Sequence, residues 1–109
     1  MIKIAIIAFE GISLFHLSVP IAIFNDAILN DEKLFDVFVC SETNGQVTSA
    51  NGLCIDIKYD ISVIEHADIV VVPSWIPDKA PSSHLREKLI EANGNNKLIV
   101  GLCLGAYAL

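Results

Sequence analysis

Three short stretches of this chain are apolar at nearly every position instead of at alternate ones. They are residues 3–9 (Lys-Ile-Ala-Ile-Ile-Ala-Phe), 67–72 (Ala-Asp-Ile-Val-Val-Val) and 97–102 (Lys-Leu-Ile-Val-Gly-Leu). A strand with one wet face alternates apolar and polar. A strand that is apolar throughout is covered on both faces, which is the situation inside a parallel sheet. Between these stretches the apolar spacing changes. Leu14, Leu17, Ile21, Phe24 and Ile28 recur every three or four residues, as do Leu85, Leu89 and Ala92, and each set marks one face of a helix. Strand and helix alternating along one chain predict an α/β layered fold with a mostly parallel sheet.

The connecting segments carry turn chemistry. Glu10-Gly11 closes the first strand, and Ser13 is placed to cap the helix that follows. Pro20 marks either a kink in that helix or the start of its main body, with Ser18 as the alternative cap. Residues 30–33 (Asn-Asp-Glu-Lys) read as a polar break and 34–40 as a second strand. Residues 46–49 and 53–57 flank Ala50-Asn51-Gly52, a hairpin signal. Residues 61–66 fit one helical turn, and Pro73 ends the strand before it. A loop with Trp75, Pro77 and Pro81 leads to Ser83, the expected cap of a helix that Gly94 ends. Gly105 opens a last helix. Without repeats, low-complexity tracts or linkers, residues 1–109 read as one domain.

Composition excludes several functions. With 53% hydrophobic and 18% charged residues, the chain is too apolar for intrinsic disorder. Its mean hydropathy of +0.57 raises the question of a membrane span. The longest uncharged apolar run, 98–109, falls short of the roughly 18 residues a span needs. The amino terminus lacks the pattern of a secretory signal, so a cytoplasmic protein with no membrane partner is expected. The net charge of -6, with seven scattered Lys and Arg, argues against nucleic-acid binding through this segment. Cys40, Cys54 and Cys103 are odd in number and lack C-x-x-C spacing, which suggests reduced thiols and neither a disulfide framework nor a metal site. Cys40 and Cys54 read as small apolar fillers. No cofactor is implied.

The strongest chemical signal is Gly101-Leu102-Cys103-Leu104-Gly105-Ala106. A buried strand runs into it and a helix leaves it, as in the nucleophile elbow G-x-S-x-G with cysteine in the serine position. Small residues two positions either side permit the tight turn, and the helix amino terminus favours the thiolate. The alternative is an inert buried thiol whose flanking glycines allow close packing.

Together with the elbow, three further stretches resemble the ThiJ/PfpI superfamily, relatives of the class I glutamine amidotransferases. They are residues 4–11 (Ile-Ala-Ile-Ile-Ala-Phe-Glu-Gly), 13–20 (Ser-Leu-Phe-His-Leu-Ser-Val-Pro) leading to Phe24, and 67–75 (Ala-Asp-Ile-Val-Val-Val-Pro-Ser-Trp). The pattern is most similar to the amidase-like amino-terminal domain of AraC-type transcriptional regulators. The resemblance implies a flavodoxin-like sheet with helices on both faces, a homodimer, and a small-molecule ligand. It implies Cys103 and His16 as the catalytic positions, and a ligand or oxyanion pocket from Ser74, Trp75, Leu104, Gly11 and Glu10.

The departures from the pattern bear on chemistry. The superfamily places an acid against the elbow cysteine, and His16 stands there instead. Protonated, it would pair with a Cys103 thiolate; neutral, it would be an ordinary hydrogen-bond partner. The loop glycine of many relatives is Ser74. The His that enzymatic members carry after the elbow has no counterpart in these 109 residues, since His66 and His84 lie upstream and read as solvated or capping residues. Glu10 either faces the pocket mouth or is a solvated turn carboxylate, and Trp75 either stacks on a ligand or lids the core. The domain is expected to be truncated after the nucleophile elbow. These features favour a non-catalytic ligand-sensing domain of an AraC-type regulator. The alternative is a cysteine-dependent enzyme acting as an amidase, isonitrile hydratase or deglycase.

Overall fold

The structure, a computed structural model, describes residues 1–42, 45–76 and 80–102. Its centre is β1 (Ile2–Ile7), the run that the sequence makes apolar on both faces. On one side β1 pairs with β4 (Phe35–Ser41), and on the other with β8 (Ile69–Val72). The outer places belong to β7 (Tyr59–Asp60) and β9 (Leu98–Gly101), giving the order β7-β4-β1-β8-β9 with every pairing parallel. Ile4 stands level with Val37 and Ile69, and Ile6 with Val39 and Val71.

Alternation along the strands builds two separate cores. Ala5 and Ile7 of β1, with Val70 and Val72 of β8, face α2 (Ser83–Gly94) and a 3-10 helix (Ile61–His66). Leu85, Leu89 and Ala92 close that layer, as their spacing predicts. Ile4, Ile6 and Val71 point the other way, toward Leu17 of α1 (Leu14–Asn25) and Val47 of β5 (Gln46–Thr48). A helix therefore lies on each face of a parallel sheet. A fully buried Ile or Val contributes about 1.5–3 kcal/mol, so β1 alone, with Ile4, Ile6 and Ile7 all sealed from water, anchors both layers.

Several local features differ from the sequence reading. Helix α1 runs from Leu14 through Pro20 to Asn25 without restarting at Ser18, whose hydroxyl donates to the Phe15 carbonyl. Ser13 holds the N-cap position but its side chain makes no capping bond. Ile28 lies outside the helix. It begins β2 (Ile28–Leu29), which pairs with β3 (Glu32–Lys33) in a two-residue hairpin. Asn30 and Asp31 both sit at positive φ, 53° and 63°, the backbone that a type I′ turn requires. The polar break is thus the turn of a minimal hairpin.

The cap of α2 is Ser82, whose Oγ accepts the Leu85 N–H at 3.0 Å, so the expected Ser83 is one residue late. Gly94 is the last helical residue and does not reverse the chain. Asn96 does so at φ 62°, with Lys97 N–H bonding Ala92 O and Asn96 N–H bonding Asn93 O, a Schellman closure. The β5–β6 hairpin forms as expected, β6 being Cys54–Asp56 with Val47 opposite Ile55. Strand β7 was not anticipated, because two residues carry no period. No helix among the described residues is long and apolar enough to cross a membrane.

Candidate functional site

In open parallel sheets, ligands bind where the carboxyl ends of the strands emerge. Here β1, β4 and β8 emerge side by side, and the residues just beyond them form a cleft. After β1 the chain turns at Gly11, whose φ of +84° is strained for any side chain. Among the described residues a Cβ there would meet only Ile76 Cδ1, at 3.7 Å, and the positive φ is what favours glycine. The turn is held by Ile12 N–H to Phe9 O at 3.1 Å and by Gly11 N–H to Thr48 O at 2.7 Å. Ala50 N–H adds a bond to Ile12 O at 2.8 Å. The β5–β6 hairpin is thereby clamped to the β1–α1 turn.

Glu10 takes part in this clamp. Its Oε1 accepts the Thr48 N–H at 3.1 Å. After β8, Ser74 and Trp75 are both buried, and the Trp75 ring packs at 4.9 Å and 50° against Phe9. At the end of β4 stands Ser41, 1% exposed, and Glu42 follows it. Ser82, at the start of α2, donates its hydroxyl to Glu42 Oε1 while accepting from Leu85. Together these elements enclose a cavity of about 260 Å³, whose walls include Phe9, Glu10, Glu42, Trp75, Ser82 and Leu85.

Of the residues singled out in the sequence, Glu10 and Trp75 meet in this cavity. Trp75 is both core and wall, since it is 6% exposed, and Glu10 is an exposed turn carboxylate that reaches the rim. Ser74 and Gly11 lie next to those two in sequence but do not line the cavity. His16 belongs to α1, in the opposite layer. Its Nδ1 is buried and has no hydrogen-bond partner among the described residues, and its ring stands edge-on to Phe15 at 5.6 Å. Cys103 and Leu104, with the elbow and the helix expected from Gly105, lie outside the described residues.

Sequence reasoning missed Ser41, Glu42 and Ser82. Their signal was positional: Ser41 ends a parallel strand, Glu42 follows it, and Ser82 caps the helix facing it. His66 and His84 are exposed, in the last turn of the 3-10 helix and the first turn of α2. Cys40 is fully buried, and burial first, then the nearby Asp60 charge, pushes its thiol up to about 12. Cys54 is exposed and so fills no core, because it lies on the hairpin β6 instead of the central sheet. No group of three or more metal-binding side chains exists among the described residues.

No protein-family model and no curated protein matches the sequence. Solved structures do match it in shape. A DJ-1 superfamily protein from Agrobacterium tumefaciens superposes with a TM-score of 0.78 at 18% identity, over 99% of this chain and 56% of that one. An AraC family transcriptional regulator from Pseudomonas putida gives 0.81 at 19% identity, over 97% and 67%. Oxidised DJ-1 from Toxoplasma gondii gives 0.81 at 18%, over 100% and 59%. The chain has the flavodoxin-like α/β fold of DJ-1/ThiJ/PfpI proteins. It spans 56–67% of the length of these three structures.

Proposed function

We propose that this chain is the ligand-sensing part of an AraC-type transcriptional regulator and performs no catalysis. The observation that carries this reading is the 260 Å³ cavity at the carboxyl edge of the sheet, walled by the Phe9–Trp75 pair. A cleft of aromatic walls with a few polar groups is how proteins hold small molecules. The fold is shared with a regulator of that family. The acidic balance of -6 fits a segment that leaves DNA contacts to another part of the protein. A homodimer in the cytoplasm completes the proposal.

The protein and its Cys103→Ala variant, offered amides, isonitriles and glyoxal adducts, should show no turnover. Turnover that disappears in the variant would overturn the sensing reading.

One observation favours the second reading, a cysteine-dependent enzyme. His16 Nδ1 is buried with no described partner, as a group awaiting a thiol would be. That enzyme needs Cys103 to be the most reactive thiol. Iodoacetamide labelling at mildly acidic pH decides it: Cys103 reacting no faster than Cys40 and Cys54 removes the enzyme.

A further inference from the structure

Asn44-Gly45, Asn51-Gly52 and Asn93-Gly94 are three copies of one reactive pair. The main-chain nitrogen after an asparagine can attack the asparagine's own side-chain amide. Glycine obstructs that attack least, because it has no Cβ. Structure then decides how often the attack succeeds, and it treats the pairs differently. Asn93 lies in the last turn of α2, which holds its ψ near the helical value of about −42°. The ring can close there only after the helix unwinds. Asn96 N–H to Asn93 O at 3.2 Å and Lys97 N–H to Ala92 O at 3.1 Å oppose the unwinding. Asn44 lies outside the described residues.

Asn51 and Gly52 stand exposed at the tip of the β5–β6 hairpin. Gly52 N–H donates to Ser49 O at 3.0 Å, which occupies the attacking nitrogen. Ser49 N–H donates to Leu53 O at 2.8 Å, and Ser49 Oγ accepts Asn51 N–H at 3.3 Å and Leu53 N–H at 3.1 Å. Ser49 thus holds the whole tip. Such a tip is a small unit that opens without the sheet, and each opening frees the Gly52 nitrogen.

We propose that Asn51 is a modification site, deamidated by its own main chain whenever the hydrogen bonds to Ser49 release Gly52. Hydroxide takes the Gly52 N–H proton, and the nitrogen bonds to Asn51 Cγ. The Cγ–Nδ2 bond breaks and ammonia leaves, which gives a five-membered imide. Water opens the imide at either carbonyl. One product is aspartate. The other, isoaspartate, routes the main chain through the side chain and lengthens the turn by one carbon. Hairpin register is set by the turn. Ala50 N–H to Ile12 O and Gly11 N–H to Thr48 O tie this hairpin to the turn after β1, so the longer turn loosens the clamp beside the cavity. The inference is independent of what the cavity binds.

The full chain is incubated at pH 8, folded and in urea, and its peptides are mapped by mass spectrometry with isoaspartate detection. In the folded chain Asn51 should deamidate severalfold faster than Asn93, with isoaspartate the main product. In urea both should speed up and converge, since the same residue follows each. Ser49→Ala should raise the folded rate at Asn51 severalfold and leave the rate in urea unchanged. Should that variant fail to fold, the ratio of the rates in urea and in the folded chain serves instead: equal rates at Asn51 would mean that the Ser49 bonds restrain nothing. Asn51 reacting no faster than Asn93 in the folded chain, or a folded rate that Ser49→Ala leaves unchanged, overturns the proposal. Asn51→Asp separates the new charge from the longer turn. The isoaspartate form should exchange hydrogen faster at Gly11 and Ala50 than Asn51→Asp does, and equal exchange would overturn the loosened clamp.

Discussion

Glu10 and Thr48 are 38 residues apart in sequence, yet the carboxylate Oε1 of one accepts the backbone N–H of the other at 3.1 Å. The bond joins the rim of the cavity to the β5–β6 hairpin. Glu10→Ala should leave the sheet intact and loosen the hairpin. Hydrogen exchange at Thr48 is expected to speed up, with a stability loss of about 0.5–1 kcal/mol for an exposed bond of this kind. Unchanged exchange at Thr48 would mean that the three neighbouring backbone bonds suffice without it.

Ser49 closes the same hairpin from inside. It is 4% exposed, and its Oγ accepts from Leu53 N–H at 3.1 Å and Asn51 N–H at 3.3 Å. Ser49→Ala strands two donors at once, and a loss of about 1–2 kcal/mol in urea denaturation is expected. Thr in the same position, which keeps the hydroxyl, should recover part of it.

Ser82 and Ser83 form an internal comparison. Only Ser82 caps α2. Ser82→Ala should cost about 1 kcal/mol, and Ser83→Ala only a few tenths. Thermal denaturation of the two variants measures the difference, and equal effects would contradict the assigned cap.

Cys40 and Cys54 should differ sharply toward thiol reagents. The Cys40 thiol, raised from 9.0 to about 12 by burial and then by Asp60, stays protonated at pH 8 and lies out of reach. Cys54 is exposed. A maleimide at pH 8 should label Cys54 in the folded chain and Cys40 only after denaturation. Stability should also fall as pH climbs above 9, because the unfolded chain then releases a proton that the folded one retains. Cys40→Ala should flatten that decline.

Asp60 and Glu65 govern the acid side. Hydrogen bonding from Ser62 holds Asp60 below its ordinary 3.8, and the hydrogen bond from Lys88 holds Glu65 below 4.5. Both favour the folded state above those values, and the contribution is lost as pH falls through the lowered ones. Asp60→Asn and Glu65→Gln should each give a shallower acid limb in stability measured from pH 6 to pH 2.

What the sequence determined is what repeats along it. Residues buried on both faces, as in Ile4 to Ile7 and Val70 to Val72, can only be strands covered twice, so the layered parallel sheet was legible from composition and spacing. Leu85, Leu89 and Ala92 announced the inner face of α2 for the same reason. Tertiary structure decided whatever depends on a single partner. Strand β7 exists because Cys40 and Ser41 offer it an edge, not because Tyr59-Asp60 has a pattern. Ser82 caps α2 instead of Ser83 because Glu42 and Leu85 both meet its hydroxyl. Ile28 continued the helical spacing, but the left-handed pair Asn30-Asp31 folded it into a hairpin. The cavity likewise assembles Phe9, Glu42, Trp75 and Ser82 from four separate segments, and no periodicity encodes which strand ends become neighbours. Period is a local property of burial, whereas a site is a meeting of distant residues that only the folded chain brings about.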